Sequence, residues 1–183
     1  MHTAKAKSCA SDLPLWAQVL VAARAVRRAV LVSDTAPKER RLAACEAIER
    51  CVAQGHATSH EREALRRARD WQPTVHQHML SLAVRQTIAS ADAAEASYDI
   101  AGAELQCERA AANVINAQCE DISLESQVVR ACVNTDIQAL TLACQQSKFS
   151  RYDAIPQNVL EALPRIDTHS PKEFTACCKE QSP

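Results

Sequence analysis

The sequence predicts an all-α fold, a helical bundle with a long antiparallel alanine-rich helical hairpin. Its 183 residues include 34 alanines, the strongest helix former, but only 3% aromatic residues and two glycines. Helix-capping patterns recur along the chain, and no stretch is enriched in the valine, aromatic and turn residues that β-rich folds need. The hydrophobic fraction of 47% and charged fraction of 23% are near globular averages and disfavour wholesale disorder.

The first predicted helix begins at Pro14, after Ser11 or Asp12, and its apolar residues recur at three- and four-residue steps. The predicted buried face consists of Trp16, Val19, Leu20, Ala23, Val26 and Val30. The segment LPLWAQVLVAA follows two lysines and so imitates a secretory signal, but polar residues interrupt it and the helical pattern continues beyond it. No apolar run reaches the length of a membrane span. We therefore expect no membrane association and a cytoplasmic location.

The second predicted helix, KERRLAACEAIERCVAQ, follows Pro37 and ends at Gly55, which is a natural C-terminal cap. Thr58 and Glu61 then form a capping box for a short basic third helix that ends near Trp71. These signals predict a tight turn between two amphipathic helices.

No strong stop interrupts the pattern over residues 74–120, so one helix of about 70 Å and two helices broken near Ser90 or Gly102 both stay open. A turn at residues 121–123 precedes a further helix that extends to about Gln146 and packs back antiparallel. The predicted contact face of this helix is weak and consists of Leu124, Val128, Ala131, Asp136, Ala139 and Leu142.

The chain divides into an alanine-rich bundle over residues 1–148 and a C-terminal tail over residues 149–183. The tail contains two short predicted helices, DAIPQNVLEAL, which Pro164 stops, and SPKEFTACCKE, which a box from Ser170 to Glu173 opens. We expect them to pack on the bundle through Leu160, Leu163 and Phe174.

Charge is distributed unevenly, because residues 1–90 carry 14 Lys/Arg and 8 Asp/Glu while residues 91–183 carry 7 and 14. A basic half can bind nucleic acid, but no known motif or aromatic platform accompanies the arginines, which disfavours that partner. Arginines at helical spacing on the first and third helices predict contact with an acidic protein partner. These candidate partner-binding residues are Arg24, Arg28, Arg62, Arg66 and Arg69.

The alternative for the arginines of the third helix is ion pairing inside the molecule, with Glu95, Asp99, Glu104 and Glu108. The two oppositely charged halves can also attract one another within one domain or in a homo-oligomer.

Nine cysteines raise the question of a ligand set or a disulfide framework. Four of them, Cys107, Cys119, Cys132 and Cys144, are regularly spaced but do not share one helical face, and none pairs directly across the predicted hairpin. The C-x-x-C spacing of zinc sites is missing, and the total is odd. We therefore expect nine reduced thiols, mostly buried, with the adjacent Cys177 and Cys178 exposed.

A metal- or ligand-binding bundle is the alternative function, and its candidate residues are His56, His60, His76 and the thiols. Gly55 and the cap at Thr58 place His56 in a turn and not on a helix, and no H-E-x-x-H motif follows. The chain also has no G-x-S-x-G motif and no glycine-rich phosphate loop. The sequence therefore predicts no enzyme activity, no cofactor and no metal.

Two long stretches and one shorter stretch resemble a known group of proteins. The long stretches are RRLAACEAIERCVAQGHATSHEREALRRARD and ASADAAEASYDIAGAELQCERAAANVINAQCED, and the shorter one is VNTDIQALTLAC. In composition and helix order they resemble alanine-rich, all-helical bacterial proteins grouped as immunity-protein-like. The resemblance covers residues 15–144 and implies a small cytosolic helical protein that acts by binding another protein. It implies no catalytic residues, and the tail after Lys148 lies outside it.

Overall fold

The computed structural model describes residues 12–32, 38–70, 78–96, 109 and 126–163. Most of these residues are helical, and none of them forms a strand, which confirms the predicted all-α bundle. The helices are α1 (Leu15–Val32), α2 (Lys38–Gln54), α3 (Ser59–Arg69), α4 (His78–Ala96), α5 (Ser126–Ser147) and α6 (Gln157–Ala162). No helix in these ranges is long and apolar enough to cross a membrane.

Helix α1 lies at the centre of the bundle and contacts α2, α4 and α5. All six residues of the predicted apolar face are buried, which confirms that part of the prediction. Its other faces are buried as well, because Ala17, Ala22 and Ala25 are small enough to let neighbouring helices approach. The apolar segment that imitates a signal sequence therefore forms the core of the bundle.

The turn between α2 and α3 has the geometry that its residues predict. Gly55 has a φ of +73°, the left-handed conformation that ends a helix, and its amide donates to the carbonyl of Cys51 at 2.7 Å. At Gly55 a Cβ would lie only 3.3 Å from the Cβ of Ala154, so the tail also packs closely here. The predicted capping box is present, because Glu61 accepts hydrogen bonds from the amide and the hydroxyl of Thr58.

The described part of the C-terminal tail packs on one end of the bundle. The amide of Leu15 donates to the carbonyl of Arg151 at 2.8 Å, and the amide of Ile155 donates to the carbonyl of Val52 at 3.0 Å. Ile155 is completely buried, and the predicted contacts Leu160 and Leu163 are buried too. Residues 151–163 of the tail therefore pack against α1 and α2.

Helix α5 packs on the core through a face that agrees with the predicted one at Asp136 and Ala139 and differs from it at Leu142. Cys132, Ile137 and Leu140 are buried, whereas the predicted contact residue Leu142 is 57% exposed. Asp136, which belongs to the predicted face, is buried as expected. Asp136 binds arginines of α1, and this places the line of residues at 132, 136 and 140 against that helix. Leu142 lies about 200° around the helix from the buried Leu140 and therefore faces solvent.

Some predictions fall on residues outside the described ranges. The long segment at 74–120 is described only at α4 and residue 109. Helix α4 continues through Ser90, so the predicted break near Ser90 is wrong, whereas one near Gly102 lies outside the described residues. The turn of the hairpin, most of its first arm and the second short helix of the tail, with Phe174, also lie outside.

Candidate functional site

Two of the predicted partner-binding arginines lie in the core of the bundle. Arg28 of α1 donates two hydrogen bonds to the carboxylate of Asp136 on α5, from Nη1 at 2.6 Å and from Nη2 at 3.0 Å. Arg24, one helical turn earlier, places its Nη1 3.5 Å from Oδ1 of the same carboxylate. All three residues are buried, with 7%, 4% and 1% exposure for Arg24, Arg28 and Asp136. The expectation of an exposed basic face on the first helix is therefore wrong.

This cluster, which we call the α1–α5 charge cluster (Arg24, Arg28 and Asp136), brings two positive charges to one negative charge in the core. Burial lowers the pKa of Arg24 from its ordinary value, and the nearby carboxylate of Asp136 opposes that change. A bidentate pair between a guanidinium and a carboxylate has one favoured geometry. The cluster therefore fixes the rotation of α5 on α1.

The remaining predicted arginines lie on the surface. Arg62, Arg66 and Arg69 are exposed on one face of α3, which we call the α3 arginine face. The side chain of Arg66 is 62% exposed and that of Arg69 is 52% exposed. Arg62 donates from its Nε to the carbonyl of Ala57 at 3.1 Å, so its side chain lies along the turn before the helix.

Ion pairs inside the molecule engage two of these surface arginines, Arg66 and Arg69. Arg66 contacts Glu63 at 2.9 Å and Asp70 at 3.1 Å, both on or next to its own helix. Arg69 pairs with Asp92 of α4. The four acidic residues predicted as partners, at positions 95, 99, 104 and 108, have side chains outside the described set.

A wide groove of about 770 Å³ runs between α2 and α3, beside the α3 arginine face. Both signs of charge line it, and Ala43 and Ala64 are the only apolar residues in the lining. The charged and polar lining residues are Glu39, Arg40, Glu46, Arg50, His60, Glu63, Arg67 and Asp70. An open groove of this kind suits an elongated polar surface better than a small apolar molecule.

The histidine candidates do not converge in the part of the chain that can be described. His60 lines the groove, whereas Nδ1 of His56 lies 3.0 Å from the carbonyl oxygen of Gln54 in the preceding turn. His76 lies outside the described ranges. Among the residues that the structure describes, no group of three or more His, Cys, Asp or Glu side chains could hold a metal ion.

The cysteines correct one prediction. Cys45 and Cys51 are buried thiols, and Cys144 is a half-buried one, as expected. Burial raises the pKa of Cys45 to about 12, which keeps its thiol protonated and unreactive. Cys132, however, forms a disulfide, so the prediction of nine reduced thiols is wrong.

The physical reason is that a disulfide requires two cysteines to be brought close by the tertiary fold, and helix spacing alone does not give that distance. Likewise, sequence reasoning placed Asp136 on the buried face but missed its role as the counter-charge of Arg24 and Arg28. A signal was present, because Asp136 is the only acidic residue of α5.

Comparisons of the chain with protein-family models, curated proteins and solved structures gave no match, so the candidate surfaces rest on the geometry alone.

Proposed function

We propose that this protein is a non-enzymatic, helical protein-interaction module that binds an acidic partner protein through the α3 arginine face. The observation that supports this function is the exposure of Arg66 and Arg69, whose side chains are each more than half accessible to solvent. An inhibitor or immunity-like protein is the kind of module that the resemblance of the sequence implies.

The existing ion pairs of Arg66 and Arg69 are compatible with this function. Ion pairs between exposed side chains contribute about 0–1 kcal/mol to stability, because water solvates the separated charges well. A carboxylate of a partner can therefore replace Glu63 or Asp92 at little cost to the fold. Charged groups at the rim of an interface chiefly raise the association rate.

The test combines charge reversal with a change of salt. The double variant Arg66→Glu and Arg69→Glu should lose the partner that the wild type captures from a lysate of the source cells. Capture by the wild type should weaken as salt rises, since charges are screened over about 10 Å at 0.1 M ionic strength. Lys148→Glu is the matched control, because Lys148 is exposed and follows α5 instead of lying on α3.

Two results would contradict the proposal. One is capture that is unaffected by salt and by the double reversal. The other is a double variant with a far lower melting temperature, because that would make the arginines structural and not partner-binding.

A cytoplasmic location stays a prediction, and the disulfide at Cys132 argues against it because disulfides persist in oxidising compartments. Fractionation of the source cells would decide between a cytoplasmic location and an oxidising compartment. Homo-oligomer formation is likewise a prediction, which sedimentation of the purified protein would test.

A further inference from the structure

Two carboxylates on different helices stabilise the guanidinium of Arg24. The first is that of Asp136 on α5, whose Oδ1 lies 3.5 Å from Nη1 of Arg24. The second is that of Glu49 on α2, which lines with Arg24 a cavity of about 200 Å³ between α1, α2 and α6. Burial lowers the pKa of Arg24, and the charges of Asp136 and then of Glu49 oppose that change. Arg24 therefore has a counter-charge on each of two neighbouring helices.

The two carboxylates are engaged to different degrees. The carboxylate of Asp136 is fully buried and accepts two hydrogen bonds from Arg28, at 2.6 and 3.0 Å, so it serves two guanidiniums. The side chain of Glu49 is 20% exposed, and its Oε1 lies 3.9 Å from Nη1 of Arg27, beyond hydrogen-bond length. A carboxylate can accept about four hydrogen bonds. Glu49 can therefore accept a second guanidinium without releasing Arg27.

We propose that Arg24 is a two-position residue, which pairs with Asp136 in this structure and turns into the cavity to pair with Glu49 when Asp136 loses its charge or α5 moves away. The cavity offers the space for this movement, since a volume of about 200 Å³ holds several water molecules that a guanidinium can displace. Both positions lie within reach of one side chain, because Arg24 already lines the cavity while it contacts Asp136.

The second position links the packing of α5 to the charge of α2. A buried charge without a partner is costly, so the loss of Asp136 would be most damaging if it left both Arg24 and Arg28 uncompensated. When Arg24 turns to Glu49, only Arg28 loses its counter-charge. A basic group that neutralises Glu49 from the partly exposed side removes this alternative, and the fold then depends more strongly on the docking of α5. Glu49 is therefore a regulatory input to the α1–α5 charge cluster.

The test is a double-mutant cycle on the full chain, measured by urea unfolding. Glu49→Gln alone should raise the equilibrium constant for unfolding by about fivefold or less, because Arg24 keeps Asp136. Glu49→Gln with Asp136→Asn should raise it at least about fivefold beyond the product of the two single effects, because Arg24 then has neither carboxylate. Glu46→Gln is the matched control, since Glu46 also lies near Arg27, at 3.7 Å, but is 51% exposed. Its combination with Asp136→Asn should equal the product of the single effects within about twofold.

A second background keeps the test decisive if Asp136→Asn does not fold. Arg28→Met removes the guanidinium that would be left uncompensated, and the same cycle is then measured with this change in every variant. A crystal structure of Arg28→Met with Asp136→Asn should place the guanidinium of Arg24 within hydrogen-bond distance of Glu49. The proposal is overturned if Glu49→Gln and Asp136→Asn act independently, if Glu46→Gln gives the same excess as Glu49→Gln, or if Arg24 stays beside residue 136 in that crystal structure.

Discussion

Replacing Asp136 by Asn should be among the most destabilising conservative changes in this protein. Asn has nearly the same shape, so the substitution removes charge and changes packing little. It leaves the guanidiniums of Arg24 and Arg28 buried beside one another without the carboxylate that both contact. Removal of one partner from a buried ion pair costs about 3–5 kcal/mol. For a chain of this size that cost corresponds to a melting temperature lower by about 6–20 °C.

Urea denaturation followed by far-ultraviolet circular dichroism measures this cost directly. Urea is preferable to guanidinium chloride because it adds no ions that would screen the charges. Asp92→Asn is the matched control, since Asp92 also pairs with an arginine, Arg69, but on the surface. The free energy of unfolding should fall by no more than about 1 kcal/mol in that variant.

A triple variant separates charge from packing. Substitution of Arg24 and Arg28 by Met together with Asp136→Leu removes every charge of the cluster, and a well-packed apolar replacement of a buried ion cluster is often neutral or stabilising. This variant should therefore recover most of the stability lost in Asp136→Asn. If Asp136→Asn costs no more than Asp92→Asn, the buried geometry of the cluster is wrong and the reasoning fails.

Two further predictions concern pH and thiols. The pKa of Glu61 is held at about 2, below its usual 4.5, chiefly by the hydroxyl of Thr58 and further by Arg50. The charged carboxylate of Glu61 therefore stabilises the fold fully above pH 4.5, and this contribution is lost as the pH falls toward 2. The urea midpoint of the wild type should accordingly fall more steeply over that interval than that of Glu61→Gln, and parallel curves would contradict the assignment. Thiol titration of protein denatured without reductant should find no more than seven of the nine thiols, because Cys132 and its partner are oxidised. A count of nine would show that the disulfide is not formed.

Features that depend on neighbours in sequence were predictable. The buried face of α1 follows from apolar residues at helical spacing, and the turn at Gly55 and Thr58 follows from residues that satisfy the ends of helices locally. Each of these signals depends on a few neighbouring residues, so the local structure that it predicts does not depend on the rest of the fold. The docking of Leu160 and Leu163 was predictable for a related reason, since two apolar residues on a short helix and at its C-terminal end require a surface to cover them.

Features that depend on distant contacts were not predictable. Arg28 and Asp136 are 108 residues apart, and nothing in a helical pattern identifies which acidic residue will meet which arginine. Burial of a charge depends on finding that partner, so Arg24 and Arg28 looked the same in sequence as the exposed arginines of α3. The disulfide of Cys132 was missed because it too depends on the tertiary fold.

The charge asymmetry of the chain is partly accounted for by its own fold. Arg24 and Arg28 from the basic half bind Asp136 from the acidic half, and Arg69 pairs with Asp92 across the same division. The first two of these pairs are buried and cannot exchange partners without loss of stability, whereas the third is exposed and exchanges easily. An asymmetric sequence therefore does not by itself indicate a charged partner. Among the five arginines predicted to bind a partner, Arg62, Arg66 and Arg69 are the ones at the surface, which is why the proposed function depends on the α3 arginine face.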